Sequence, residues 1–574
     1  MKRIGICLFL VLFSVSFVFA LSPVEVEKEL LKIMDEETID NIMRTLWLYE
    51  DGHYKYEGLT EEITERLLAV KNHNKTYGEL FKKKLIYLLN NPDSFTPDYT
   101  SKYNTYLKYT DSLSPQQAYA LTNFLGLDSD KGYAEIPPKA DIQIPADHAI
   151  QFDFQVGWHF FVGLCEDYQG NEYGVQLMFW RNSLLPTEQA RQWGLSDEEN
   201  QMIEMHLAIS KAGDKHYSAR PTIIGGASGL MTFKESPFTY TMGANSITSL
   251  QKDAFAPLRL VAKGWDDTDE EVEIEIDITI VQNKKVVLNG DNGASPSIGG
   301  VGTLYYSITN MKLFPDESYL KINGEKSVLK DGKFWFDHQW ANGLAPTGNP
   351  RDLLVRTASR LSKPAPPGWD WFMMQFEDET EIGLSAIHIA DNRPFYYQDG
   401  EEAPATMTVS TEGKYVDKQG NAFDIKGEMV VSQWVRAKTS PDPDRFWVTN
   451  VWYPNHWAFS FEDNVVPEGK RHFSMVPIVE KGQYAYFASG MQYSEGGTYI
   501  YNEDNQLIGR GFAESVSYAD TTMNMLALTG MPVTEEVKEA IKTPEISDAL
   551  KARALKYIGI KAPNLLPMFK TTEK

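Results

Sequence analysis

The chain has 574 residues, a formal net charge of -24, and aromatic and charged contents of 12% and 23%. That length exceeds a single hydrophobic core and implies several domains, and the aromatic content excludes a disordered chain. The acidic balance, with no basic patch, excludes nucleic acid as a partner, because phosphate binding needs concentrated positive charge, and it disfavours docking on an anionic membrane.

In chain order, Lys2 and Arg3 precede the apolar run Ile4 to Phe19, and Val18 and Ala20 supply the small residues of a signal-peptidase site. Residues 1–20 are therefore expected to be a signal peptide, leaving a mature protein that starts at Leu21 and is exported, periplasmic or secreted. Of the two cysteines, Cys7 leaves with the signal and Cys165 has no partner for an internal disulfide. After signal cleavage no segment is long and apolar enough to span a bilayer.

Residues 21–134 read as an α-helical N-terminal region. Ser22-Pro23-Val24-Glu25 is a capping box with proline at the first helical position, followed by the stripe Val26, Leu30, Ile33 and Met34. Further helices start at Thr60 and near Leu80, the latter stopped at Asn91-Pro92. The run Lys82 to Lys84 is a solvated helix face. Pro137-Pro138 marks a change of period.

Past that linker the pattern is β. Residues 271–280 alternate without a break, placing Val272, Ile274, Ile276, Ile278 and Ile280 on a core face and acids toward water. Similar short runs at 158–164, 173–180 and 448–461, without intervening helices, argue for antiparallel sandwiches or barrels. Two barrels fit, at 135–345 and 368–525, with a connecting loop at 346–367. A barrel of about eight strands has an interior able to hold one small apolar ligand. Trp434, Trp447, Trp452, Tyr453 and Trp457 read as lining or core of the second barrel. Residues 526–574 return to helix, with starts at Thr534 and at Thr543-Pro544 and a stop at Gly559.

The chemically suggestive stretch is 333–376. In Lys333-Phe-Trp-Phe-Asp337-His338-Gln-Trp340 a strand puts Phe334, Phe336, His338 and Trp340 on one face and Trp335, Asp337 and Gln339 on the other. Asp337 and His338 should point opposite ways. In the strand beginning Gly368-Trp369-Asp370-Trp371 both faces are apolar, so it is expected to be buried. A carboxylate there is either hydrogen-bonded scaffolding or an acid with a raised pKa. Gly226-Ala-Ser228-Gly229-Leu230 fails as a nucleophile elbow at its last position, and no phosphate loop or dinucleotide fingerprint is present. No cofactor and no metal site are expected, although folding would have to decide whether His148, His159 and His338 converge with Asp147 or Asp337.

Pro145-Ala-Asp147-His148, Gly157-Trp158-His159-Phe160-Phe161-Val162-Gly163 and residues Tyr173 to Arg181 are followed by Leu288-Asn-Gly290, Tyr305-Tyr306-Ser307, Phe334 to Trp340, Gly368 to Phe372 and Gly509-Arg-Gly511-Phe512-Ala-Glu514. In that order, over about residues 141–518, these motifs resemble the lipocalin-like family of AttH proteins and carotenoid 1,2-hydratase (hydroxyneurosporene synthase). The resemblance implies a mainly β fold of two calycin-type antiparallel barrels in tandem, and an apolar pocket near the Asp-His-x-Trp motif. It implies further that some members add water to an isolated double bond. The chain departs from the family at Gly157-Trp158-His159-Phe160, where Glu-Trp-Trp-Tyr is usual, so one carboxylate expected near the pocket is missing.

Two functions follow as expectations. The first is an exported protein that binds an elongated apolar ligand, isoprenoid or acyl, and carries it unchanged. The second is a hydro-lyase. Hydrating an unactivated alkene needs a strong general acid, cation stabilisation and a placed water. Asp337, His338 and Asp370 are the candidate catalytic residues, and Trp340, Trp371, Trp158, Tyr306 and Arg181 the candidate ligand contacts. A structural or interaction role for the N-terminal helices is the remaining alternative.

Overall fold

The computed structural model describes residues 132–518 apart from 343–367, 389–401, 438–451 and several shorter stretches, together with the paired strands Tyr49–Glu50 and His53–Tyr54. The expected signal peptide, N-terminal helices, connecting loop, Trp447 and helical tail lie outside the described residues. The chain divides into two compact units, 1–76 and 77–574, and both sheets below belong to the second.

The first sheet has fifteen strands. Seven position the site: β1 (Val156–Asp167), β2 (Glu172–Ser183), β3 (Gln201–Lys211), β4 (Leu258–Trp265), β5 (Glu273–Gln282), β6 (Val301–Leu313) and β7 (Glu325–Ala341). They lie in the order β3-β2-β1-β7-β6-β5-β4 and pair antiparallel. A bridge between Ala219, beside β3, and Asp266, at the end of β4, brings the two sides of this run together, so the sheet rolls back on itself.

The second sheet has nine strands, and eight of them close into a barrel. Its strands are β8 (Gly368–Phe376), β9 (Glu381–His388), β10 (Met407–Val416), β11 (Ala422–Arg436), β12 (Trp452–Ser460), β13 (His472–Pro477), β14 (Gln492–Asn502) and β15 (Leu507–Ser515). Each pairs with the next; β13 also pairs with β14, and β15 returns to β8. The mainly β, antiparallel architecture read from the sequence is therefore the one observed, as one closed eight-stranded barrel and a larger rolled sheet.

Alternation explains the strands. Ile274, Ile276, Ile278 and Ile280 of β5 have 0% exposure. Asp277, expected to face water, is buried, because Arg259 on β4 covers it with two hydrogen bonds of 2.7 and 2.6 Å. The interior of the second barrel is filled by Phe372, Met374, Phe376, Leu384, Met429 and Trp457 among others. Among the described residues, side chains fill the centre where the sequence reading allowed for a ligand.

The two sheets pack outer face to outer face. Phe160, Val162 and Leu164 of β1, Met178 of β2 and Trp335 of β7 meet Trp371 and Met373 of β8, Tyr493 of β14 and Phe512 of β15 in one buried cluster. At Gly174 and Gly497 the backbones themselves approach, and a β carbon on Gly174 would lie 3.3 Å from the Gly497 nitrogen and Cα. Lys284 adds a buried link: its ammonium donates to Glu381 Oε2 at 2.7 Å and to the carbonyls of Glu379 and Asp417.

Candidate active site

Strand registers decide what faces the seam. Ser385, Trp371, Glu514 and Glu495 are successive cross-strand partners on β9, β8, β15 and β14, so their side chains form one row on one face. Opposite them, Tyr305, Gln339, Trp158 and Trp180 form a row across β6, β7, β1 and β2. Between these rows lies a cavity of about 50 Å³, completed by Phe160, Gln176, Met178, Asp337, Trp369 and Tyr493. That is room for a few waters or a small reacting group. Trp158 and Trp180 stack at 4.7 Å and form a flat aromatic wall.

Three carboxyls face this space, and burial raises the pKa of each. Asp337 is pushed to about 6, with donors from Ser307, Tyr305 and Trp335 opposing the shift. It accepts from the Tyr305 hydroxyl and the Trp335 indole N–H at 2.6 Å each, and from the Ser307 hydroxyl. Glu514 is pushed to about 8, first by burial and then by the charges of Asp337 and Asp370, against a hydrogen bond from Trp369. Glu495 is held well above the usual carboxylate range by burial, then by Glu514 and Asp337. Both oxygens of Glu495 are buried without a hydrogen-bond partner, which a carboxylate tolerates only when protonated or given donors by water or ligand. Gln176 Oε1 is likewise buried and unpartnered.

The predicted residues separate. Asp337 and His338 do point opposite ways, Asp337 into the seam cavity and His338 into the rolled sheet. Asp337, Trp158 and Trp371 line the cavity. Asp370 is fully buried, on the opposite face of β8 from Trp371, and accepts from the Tyr518 hydroxyl at 3.2 Å on each oxygen. Tyr306 is inside the rolled sheet, its hydroxyl 2.5 Å from His148 Nδ1. Trp340 and His338 are there too, beside Arg181 and His159 around a space of about 10 Å³.

His148, His159 and His338 do converge; His159 and His338 stack at 4.0 Å. His338 Nδ1 and Nε2 face the carbonyls of Trp158 and Ala149 at 2.9 and 3.2 Å, and His159 Nε2 faces that of His148 at 2.9 Å. Burial lowers His338 to about 4 and His148 to about 3. Among the described residues no group of three or more His, Cys, Asp or Glu side chains is placed to hold a metal ion. Arg181 donates to Ser183, Gln201 and the carbonyls of Gln151 and Phe154. A β carbon at Gly157 would lie 3.3 Å from Arg181 Nη2, so the carboxylate usual at that position would sit against Arg181 inside the rolled sheet.

Sequence reading missed Glu495, Glu514, Gln176 and Tyr493. The signals were present as Tyr493-Ser-Glu495 and Phe512-Ala-Glu514, each pairing an aromatic residue and an acid two positions apart on one strand face. Only the register brings them together.

The AttH-like family model matches residues 135–518. The chain belongs to the AttH-like family. Among solved structures, this AttH-like chain is similar to an AttH protein of Nitrosomonas europaea, at 16% identity over 67% of this chain and 100% of that one, with a TM-score of 0.47. It is also similar to kievitone hydratase of Nectria haematococca, at 14% identity over 68% and 98%, with a TM-score of 0.42. A third is CghA with Sch210972, at 11% identity over 68% and 97%, with a TM-score of 0.32. No curated protein matches the AttH-like chain.

Proposed function

We propose that the protein binds an unsaturated apolar molecule, isoprenoid or acyl, with a double bond held in the seam cavity, and adds water across that bond. The observation that carries the reading is Glu495, a buried acid with two unpartnered oxygens in an aromatic cavity, directly across the ladder from Glu514. Two carboxyls so close cannot both ionise cheaply, so at least one keeps its proton near neutral pH. A protonated acid among tryptophan faces supplies what alkene hydration demands: a proton for carbon and π surface for the cation that forms. Carriage without turnover has no comparable support, since a binding site for hydrocarbon gains nothing from buried acids. The expectation of export, from residues 1–20, belongs to this reading.

The test is incubation of the purified protein with squalene and with oleic acid in detergent micelles, in ordinary and in heavy-oxygen water, followed by mass spectrometry. A product heavier by one water, carrying the heavy isotope, supports hydration. Retention of the probe unchanged on repurified protein would instead support carriage.

A further inference from the structure

On the hydration reading, the acids account for the proton given to carbon and leave open what holds the water and takes its proton. We infer that Gln176 and Tyr493 hold the reacting water, and that Tyr493 passes its proton along a buried chain to His206, oriented by Glu204.

The geometry runs through both sheets. Tyr493 of β14 lines the cavity two residues before Glu495, on the same strand face. Its hydroxyl accepts from Gln176 Nε2 at 2.9 Å and lies 2.6 Å from His206 Nδ1. His206 Nε2 lies 2.7 Å from Glu204 Oε1, with both side chains 2% exposed. A carboxylate only accepts, so Nε2 carries the hydrogen and Nδ1 is left to accept from the phenol; the tautomer is assigned from these partners. Gln176 uses its amide N–H on Tyr493, so its unpartnered Oε1 is free to receive a water hydrogen beside that phenol.

The step balances. The π bond takes the proton of the Glu495–Glu514 pair at one carbon, and the water oxygen bonds to the other. A water proton moves to the Tyr493 oxygen as the phenol proton moves to His206 Nδ1. This leaves the alcohol, a carboxylate and an imidazolium held by Glu204. Solvent water then returns a proton to the carboxylate and takes one from the imidazolium. Tyr493 and His206, which carry the proton, are the catalytic residues of this step, and Glu204, acting through His206, is a positioning residue.

The experiment separates proton delivery from water addition. Squalene is incubated with the full-length protein in deuterated water, reading deuterium washed into recovered squalene and, separately, alcohol formed. Tyr493→Phe, which removes one oxygen, is expected to lower alcohol formation by about 100-fold or more while deuterium wash-in by the folded variant stays near wild type. Glu204→Gln, one layer further from the cavity, is expected to show the same split more weakly. Wild-type alcohol formation in folded Tyr493→Phe or in Glu204→Gln overturns the relay. Equal loss of wash-in and alcohol in either variant overturns it too, by placing Tyr493 or its supports on the acid side. Neither signal in the wild type defeats the hydration reading itself, and the relay with it.

Discussion

Glu495 and Glu514 face each other across the β14–β15 ladder, and neither oxygen of Glu495 has a hydrogen-bond partner. Like charges directly opposite on a sheet are unfavourable even in water. Here burial makes ionising both costlier still, so at least one of the two stays protonated.

Glu495→Gln keeps the shape and removes the ionisable group. The expected outcome is a melting temperature equal to or above wild type, because an amide supplies its own donors and cannot ionise beside Glu514. Alcohol formation from squalene should fall about 100-fold or more, with binding retained, as followed by tryptophan fluorescence from Trp158 and Trp180. Clear destabilisation with unchanged turnover would remove Glu495 from the chemistry.

Stability should depend on pH through Glu514. Its ordinary pKa is 4.5 and its folded value about 8, so between these values the folded chain holds a proton that the unfolded chain has released. The resulting stabilisation is complete below about pH 4.5 and is lost as pH rises through about 8. Melting curves of wild type and Glu514→Gln across that window should therefore diverge, the wild type losing ground toward high pH. Parallel curves would contradict the raised pKa.

Asp337 behaves as scaffolding as well as wall. Three donors converge on it, from Tyr305, Ser307 and Trp335. Asp337→Asn turns one acceptor into a donor facing donors, at a cost of about 1–3 kcal/mol for each buried group left unpaired. Denaturant titration should show it clearly less stable than Glu495→Gln; similar stability would mean that the donors find other acceptors.

The Lys284–Glu381 link offers a test of how the sheets are joined. Its side chains are 4% and 0% exposed, so Lys284→Met strands a buried carboxyl whose pKa burial already raises. A loss of about 3–5 kcal/mol is expected. Adding Glu381→Gln should recover part of it, measurable by chemical denaturation as a double-mutant cycle.

Within the described residues, the elements were more legible in the sequence than the site. The unbroken alternation of 271–280 gave β5 its core face, and the period of two separated Asp337 from His338. Asp370 was rightly read as buried. That the candidate residues separate between the seam and the sheet interiors was not legible, because strand faces can be read from one segment whereas the side on which a second sheet docks cannot. Glu495 and Glu514 are 19 positions apart in sequence, and only register makes them neighbours.

The seam between outer faces also separates two kinds of selection. Residues inside each half serve that half's packing alone, while positions on the facing rows serve both the packing of the seam and its chemistry. A fragment bearing one half would carry only half of the cavity wall and would expose its share of the seam cluster, Phe160, Val162 and Leu164 on one side and Met373 and Phe512 on the other. New specificities would therefore depend on how the two halves meet as well as on what lines each of them.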